Sequence, residues 1–374
     1  MYSQQELDDA VASGVITAQA ADALRAHVEQ LRATAIPDEE QFRLLTGFND
    51  IFVSIAAAIL LFAVGWIGQS IGQSTGLYIT DHGESGPSFL APLAVASTSW
   101  GLALFFTAKR RMALPSILLL LAFVGAVLAA TGFLMVEIIG ANRFNNDNQL
   151  PAAAVGGVSA AVAAGAAWLH WRKFHVPITI AAGAAAVAGL FLAIVVAIVQ
   201  PSSGESAKNL ILGFVLLLGI GMFLFAMWWD SSDRARVTRR SDVAFWLHLL
   251  AAPMIAHPIF TLMGLNNGSV GTGEALIVVG LYVLFGLTAL AVDRRALLVS
   301  ALAYVLYALT ELFKQFGAVE LNIALTALVI GSALLLLSAY WHQARRLIVT
   351  RLPSNLQERL PNLDRPAVLT QPAA

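Results

Sequence analysis

"IFVSIAAAILLFAVGWIGQSIG", residues 51–72, contains no acid, no base and no proline. As a helix rising about 1.5 Å per residue it measures roughly 33 Å, enough to cross the ~30 Å hydrocarbon core of a bilayer. No water is present there to satisfy backbone N–H and C=O groups, so such a run has to be helical. Similar runs recur at 89–108, 113–135, 152–171, 177–199, 209–229, 243–265, 275–292, 297–316 and 323–341. The pattern predicts an all-α fold, a polytopic membrane bundle of about ten transmembrane helices over residues 51–341. The weakest run, 152–171, is rich in Ala and Gly, whose small size permits close helix packing.

Composition agrees. Of 374 residues 58% are hydrophobic and 12% charged, against about 25% charged in a soluble domain. The partner this implies is the lipid bilayer. A net charge of −1 provides no basic field for nucleic acid. The chain has no cysteine, which excludes disulfides, thiolate metal sites and cysteine nucleophiles. No basic segment followed by a short apolar stretch and a small-residue cleavage site is seen near residue 1, so the first span is expected to direct insertion itself.

Orientation follows from lysine and arginine, which are retained on the cytoplasmic side of spans. Alternate connections carry Lys109-Arg110-Arg111, Arg172-Lys173, the Arg234, Arg236, Arg239 and Arg240 group, Arg294-Arg295, and Arg345-Arg346. The opposite connections hold only Arg143 and Lys208. The expectation is that both termini are cytoplasmic, with residues 342–374 forming a basic, partly disordered tail.

Ahead of the spans, residues 1–36 read as a cytoplasmic helical hairpin. Ser3 with Glu6 fits a capping box, Gly14 a helix stop, and Thr17 the cap of a second helix with Leu24, Val28 and Leu31 on one stripe. So short a unit buries too little surface to stand alone. It is expected to dock on the membrane bundle, on a second copy or on a protein partner. Residues 37–50 form a linker and an amphipathic lead-in through Phe42, Leu45 and Phe48. The "GVIT" hairpin, "DEEQFRLLTGFNDIFV" and "RRMALPSILLLLAF" resemble uncharacterised bacterial multi-pass inner-membrane proteins grouped under a domain of unknown function. The resemblance implies a bacterial inner membrane and carries no activity or site residues.

Ionisable groups inside spans are costly and mark candidate sites. In span nine Ser300, Tyr304, Tyr307, Glu311 and Lys314 follow at spacings of four, three, four and three, on one helix face. Such a face is expected to point at other helices, with Glu311 and Lys314 able to pair. In span seven, Pro253 and Pro258 deprive the carbonyls of Leu249 and Met254 of their usual donors, and His257 stands between the prolines with Thr261 one turn on. Equal depth in the two spans places His257 opposite Glu311. The candidate polar site is therefore His257, Thr261, Tyr304, Tyr307, Glu311 and Lys314. No catalytic signature, cofactor motif or metal site is read from the sequence. The function read from these features is a non-enzymatic membrane scaffold or sensor working through the hairpin. The alternative is a secondary transporter of two five-helix repeats, with its site between spans seven and nine.

Overall fold

The computed structural model describes residues 10–24, 48–81, 84–144, 148–199, 204–234, 236, 238–263, 272–315 and 322–363. At 81, 84, 272, 274, 296, 311, 312, 314, 315 and 322 it describes the backbone alone. The chain forms two units, Met1–Leu44 with Asp364–Ala374, and Leu45–Leu363.

In the first unit Gly14 takes φ +74°, a left-handed conformation that glycine adopts without steric cost. It ends a helical turn whose Ala10 carbonyl accepts from Val15 N–H at 3.0 Å. The Thr17 hydroxyl accepts from Ala20 N–H at 3.1 Å and opens a helix over 18–24. Ser3, Glu6, Val28 and Leu31 of the expected hairpin, and Phe42 and Leu45 of the lead-in, lie outside the described residues.

The second unit is a helical bundle. Its helices are α1 (Phe48–Thr75), α2 (Leu90–Phe106), α3 (Ala113–Ile139), α4 (Leu150–Phe174), α5 (Ile178–Val199), α6 (Glu205–Ser231), α7 (Arg239–Leu262), α8 (Thr272–Val292), α9 (Ala296–Gln315) and α10 (Asn322–Ala339), followed by α11 (Trp341–Val349) and α12 (Ser354–Gln357). Between α1 and α2 a two-residue hairpin pairs Thr80 with Ser85 and Asp81 with Glu84. It is held to α1 by Gln69, whose amide donates to Gly86 O at 3.0 Å and whose Oε1 accepts from Ser88 N–H at 2.8 Å.

Among the described residues each apolar run of the sequence forms a helix, but they differ in reach. Among the described residues seven helices are long and apolar enough to cross a membrane, or eight if the pair Ile323–Ala339 and Trp341–Val349, bent by 75°, is one span. Two expected spans are shorter: the apolar parts of α2 and α9 are Leu90–Phe106 and Leu297–Thr310. The basic turn after α2 stops it, with Arg111 at φ 53°. The tail expected to be partly disordered is folded as far as Leu363. It continues as α11 and α12, with Leu360 packed against Val292 and Val349. Residues 364–374 lie outside the described residues.

α7 is the central helix, half buried along its apolar window, whereas α5 has 6% of that window buried and faces outward. One core forms where Ala252, Ala256 and Phe260 of α7 meet Val278 and Phe285 of α8 and Ala301 and Val305 of α9. Another joins Leu120 and Val124 of α3, Ala163 and Ala167 of α4 and Ala186 of α5. The small residues of α4 thus allow close packing on both sides.

Both prolines lie inside α7, which runs as one helix. The Met254 carbonyl, deprived of its donor by Pro258, faces Gly219 of α6. A Cβ built on Gly219 would stand 2.8 Å from both C and O of Met254. Only hydrogen fits between these backbones. Gly219→Ala is therefore expected to push α6 from α7 and lower stability by about 1–3 kcal/mol, read as a fall in thermal midpoint in detergent. Gly221→Ala, whose Cβ meets nothing within 4 Å, is expected to leave the midpoint unchanged or raise it slightly.

Candidate functional site

α6 ends on two tryptophans and an acid, Trp228-Trp229-Asp230. Beyond Asp230 the helix unwinds where Ser231 and Ser232 turn their hydroxyls onto the carbonyls of Trp228 and Trp229, at 2.9 and 2.7 Å. Asp233 then accepts from both the N–H and the hydroxyl of Thr238, at 2.9 and 2.7 Å, and Thr238 caps α7 by accepting from Arg240 N–H. This short, self-bonded loop fixes the α6–α7 connection and carries Arg234 and Arg236.

A second turn, Asp293-Arg294-Arg295, joins α8 to α9. Asp293 takes φ 59°, the left-handed position at which many helices end, and Arg294 N–H closes the turn onto Ala289 O at 2.9 Å. Asp tolerates this conformation better than most non-glycine residues. The turn sends its acid and its first base to different partners. Arg294 reaches Asp230, with Nη2 donating to Oδ1 at 2.7 Å and Nε to Oδ2 at 3.3 Å. Asp293 receives Arg236 Nη1 on Oδ2 at 2.8 Å and Trp341 Nε1 on Oδ1 at 2.7 Å. Each connection thus gives the other an acid and takes a base.

The charged groups of this reciprocal brace are withdrawn from solvent: Asp230 is 0% exposed, Asp293 7%, Arg294 4%, Arg345 3%, and the Arg236 side chain 8%. His248 of α7, also fully buried, donates from Nε2 to Asp230 Oδ2 at 3.1 Å, and its Nδ1 has no hydrogen-bond partner. Arg294 Nη2 also donates to Ser241 O at 3.0 Å, and Arg236 to the carbonyls of Val292 and Asp293. Two-point guanidinium–carboxylate contact is the geometry in which a buried pair offsets its desolvation best.

The brace extends into the C-terminal segment. Arg345 lies within 3.8 Å of Asp293 and donates to Pro361 O at 2.7 Å and Asn362 O at 3.2 Å. Arg234 donates to Leu360 O at 2.9 Å and Gln357 O at 3.2 Å, and Asn362 N–H returns to Arg234 O. α6, α7, the α8–α9 turn, α11 and residues 357–362 are thereby tied at one end of the bundle.

The residues singled out from the sequence lie elsewhere. His257 Nδ1 and the Tyr304 hydroxyl are 2.7 Å apart, joining α7 to α9, and Tyr304 stacks on Phe260 at 4.3 Å between ring centroids. Thr261 is half-buried one turn on in α7, and Tyr307 is 37% exposed. The side chains of Glu311 and Lys314 lie outside the described residues, as does any pairing of His257 with Glu311. His257 thus meets the tyrosine of the expected stripe.

The brace itself was missed because its bases read as orientation signals. The available signal was the acids among them, in "WWDSSDRAR" and "DRR", each at the end of an apolar run. A second buried histidine was also missed. His170 sits against Phe174 at 4.5 Å and near Trp100 and Phe123, with Nδ1 3.3 Å from the Thr179 hydroxyl.

Comparisons with protein-family models, with curated proteins and with solved structures found no match to this chain.

Removing one partner of a buried pair leaves the other charge uncompensated, at a cost of about 3–5 kcal/mol. Asp230→Ala and Arg294→Ala are each expected to lower stability by about that much. The double variant should cost less than the sum by roughly 1 kcal/mol or more. Thermal midpoints of the four proteins in one detergent measure this coupling, and strict additivity would mean the pair does not act as a unit.

Proposed function

We propose that this chain is a non-enzymatic multi-pass membrane scaffold or sensor, seated in a bacterial inner membrane, with residues 1–36 as its interaction hairpin. The observation that carries this reading is the buried brace. Its guanidiniums are spent on carboxylates and backbone carbonyls that lock helices together, the use expected of a fixed platform. An open groove along α4, α5 and α6 is apolar and lies away from both His257 and the brace.

Ten crossings with both termini cytoplasmic fit this reading. The α6–α7 connection, the α8–α9 turn and the start of α11 meet at one end, and all three are basic. α2 and α9 would be the short crossings, and the 75° bend after Ala339 would lay α11 along the membrane surface. Trp341, Arg345 and Val349 form its buried face, and Leu347 is 56% exposed.

The second reading, a secondary transporter, is favoured by the His257–Tyr304 contact between α7 and α9. In a transporter this pair would lie in the proton or substrate path. In a scaffold it fixes the register of two helices.

Two measurements separate these outcomes. Fusions to a reporter active only in the cytoplasm should give signal after Arg240 and after Arg346 and none between Asn266 and Gly273. Because the chain has no cysteine, Ser13→Cys introduces a single thiol into the hairpin. Thiol crosslinking in membranes should join it to one defined polypeptide, a partner or a second copy, and deletion of residues 1–34 should leave membrane abundance unchanged. Loss of the deleted protein from the membrane would sink the interaction-module reading. A proton-coupled flux in proteoliposomes that His257→Ala abolishes would replace the scaffold by the transporter.

A further inference from the structure

Along the outward side of the bundle runs an open groove of about 550 Å³, bounded by α4, α5 and α6. Its floor is made of small residues, Gly183, Ala184 and Ala188 of α5 and Gly221 of α6. Its walls are large: Trp168 on α4, Phe191 on α5, and Leu217 and Phe225 on α6. Trp168 is 55% exposed and Leu217 65%, so this is a slot open along one side. On α5 it extends from Thr179 to Phe191, which at about 1.5 Å per residue is roughly 18 Å. One leaflet of a bilayer contributes about 15 Å of hydrocarbon. A single acyl chain therefore matches the slot in length and chemistry.

One end of the slot is charged. It opens at the α4–α5 turn, where Arg172 and Lys173 are exposed. The Arg172 guanidinium lies 4.9 Å over the ring of Trp168, the same tryptophan that forms the wall. Stacking on an aromatic face leaves the in-plane N–H edge of a guanidinium free, and that edge fits a phosphate. No described carboxylate pairs with Arg172 or Lys173. Asp230, the acid at the same end of neighbouring α6, is occupied by Arg294 and His248.

We propose that this groove is a binding site for one anionic phospholipid, with an acyl chain along α5 and the phosphate at Arg172. The proposal rests on the membrane reading but not on the scaffold reading. An anionic headgroup is selected over a zwitterionic one because, among the described residues, the rim presents a cation and no acid. A chain is held in place, and not merely in the lipid annulus, because its methylenes meet ring faces on both walls and a floor of glycine and alanine.

The test uses the full chain, delipidated in detergent and titrated with phosphatidylglycerol or phosphatidylcholine bearing identical palmitoyl and oleoyl chains. Native mass spectrometry reads the lipid retained. One phosphatidylglycerol per chain should survive, favoured roughly fivefold over phosphatidylcholine, from about 1 kcal/mol for the one basic residue at the headgroup. Arg172→Gln should remove the preference and keep retention at the phosphatidylcholine level. Gly221→Leu should abolish retention of both lipids. A Cβ at Gly221 meets nothing within 4 Å, so the leucine enters the slot without moving backbone, and it is the better helix former. Unchanged helix content and lipid-free thermal midpoint show that both variants are folded. Equal retention of the two lipids by the unaltered protein, or full retention by Gly221→Leu, would overturn the site. A lipid-free dimer that Gly221→Leu dissociates would instead assign the groove to a helix of a second copy, and would overturn it equally.

Discussion

Asp230 is the constraint on which much of the second unit depends. It stands at the end of an apolar helix, fully buried, where an unpaired carboxylate would cost several kcal/mol. Its neighbours in sequence cannot neutralise it, because Ser231 and Ser232 bond their own helix end. Compensation comes from residues 18 and 64 positions away, His248 and Arg294. That requirement brings the α8–α9 turn against the end of α6 and fixes the rotation of α7. Asp293 repeats the problem in reverse and solves it with Arg236 and Trp341. Two acids with exchanged bases define one arrangement of these helices, whereas apolar packing alone would tolerate several.

Helices were legible in the sequence because their cause is local. A run such as residues 113–135 has to bury its backbone polar groups in itself whatever surrounds it, and α3 forms there. Gly14 and Thr17 were legible for the same reason, since a left-handed stop and a hydroxyl cap act within four residues. The brace was not, because pairing across 57 or 64 residues leaves no periodicity to read. Worse, charge near a span end has two meanings. A base that marks the cytoplasmic face and a base that neutralises a buried acid look identical until geometry separates exposed Arg172 from buried Arg294. The polar face of α9 lies between these cases: spacing put Tyr304 on the stripe, but only tertiary packing selects it as the group that meets His257.

Helix lengths show a related limit. Hydropathy runs through turns that the backbone does not. α2 ends at Phe106, and α9 loses apolar character past Thr310, so equal-looking runs give helices of unequal reach. The prolines of α7 show the converse, because a residue that frees a carbonyl does not have to end the helix. The Met254 carbonyl is accommodated by Gly219 of α6, and a defect in one helix becomes the site of closest approach to its neighbour.

The brace also leaves a surplus. Arg234, Arg236, Arg294 and Arg345 outnumber Asp230, Asp233 and Asp293, and the difference is met by neutral groups, the carbonyls of Gln357, Leu360, Pro361 and Asn362. Carbonyls satisfy hydrogen-bond geometry but cancel no net charge. The folded C-terminal segment therefore makes burial of Arg345 tolerable without neutralising this end of the bundle. Lys109, Arg110, Arg172 and Lys173 lie near the ends of other helices, so bases recur at alternate connections. A bilayer supplies the missing countercharge only through its headgroups. In the membrane reading proposed above, the same imbalance that secures the C-terminal segment would make an anionic headgroup layer the complement of this face.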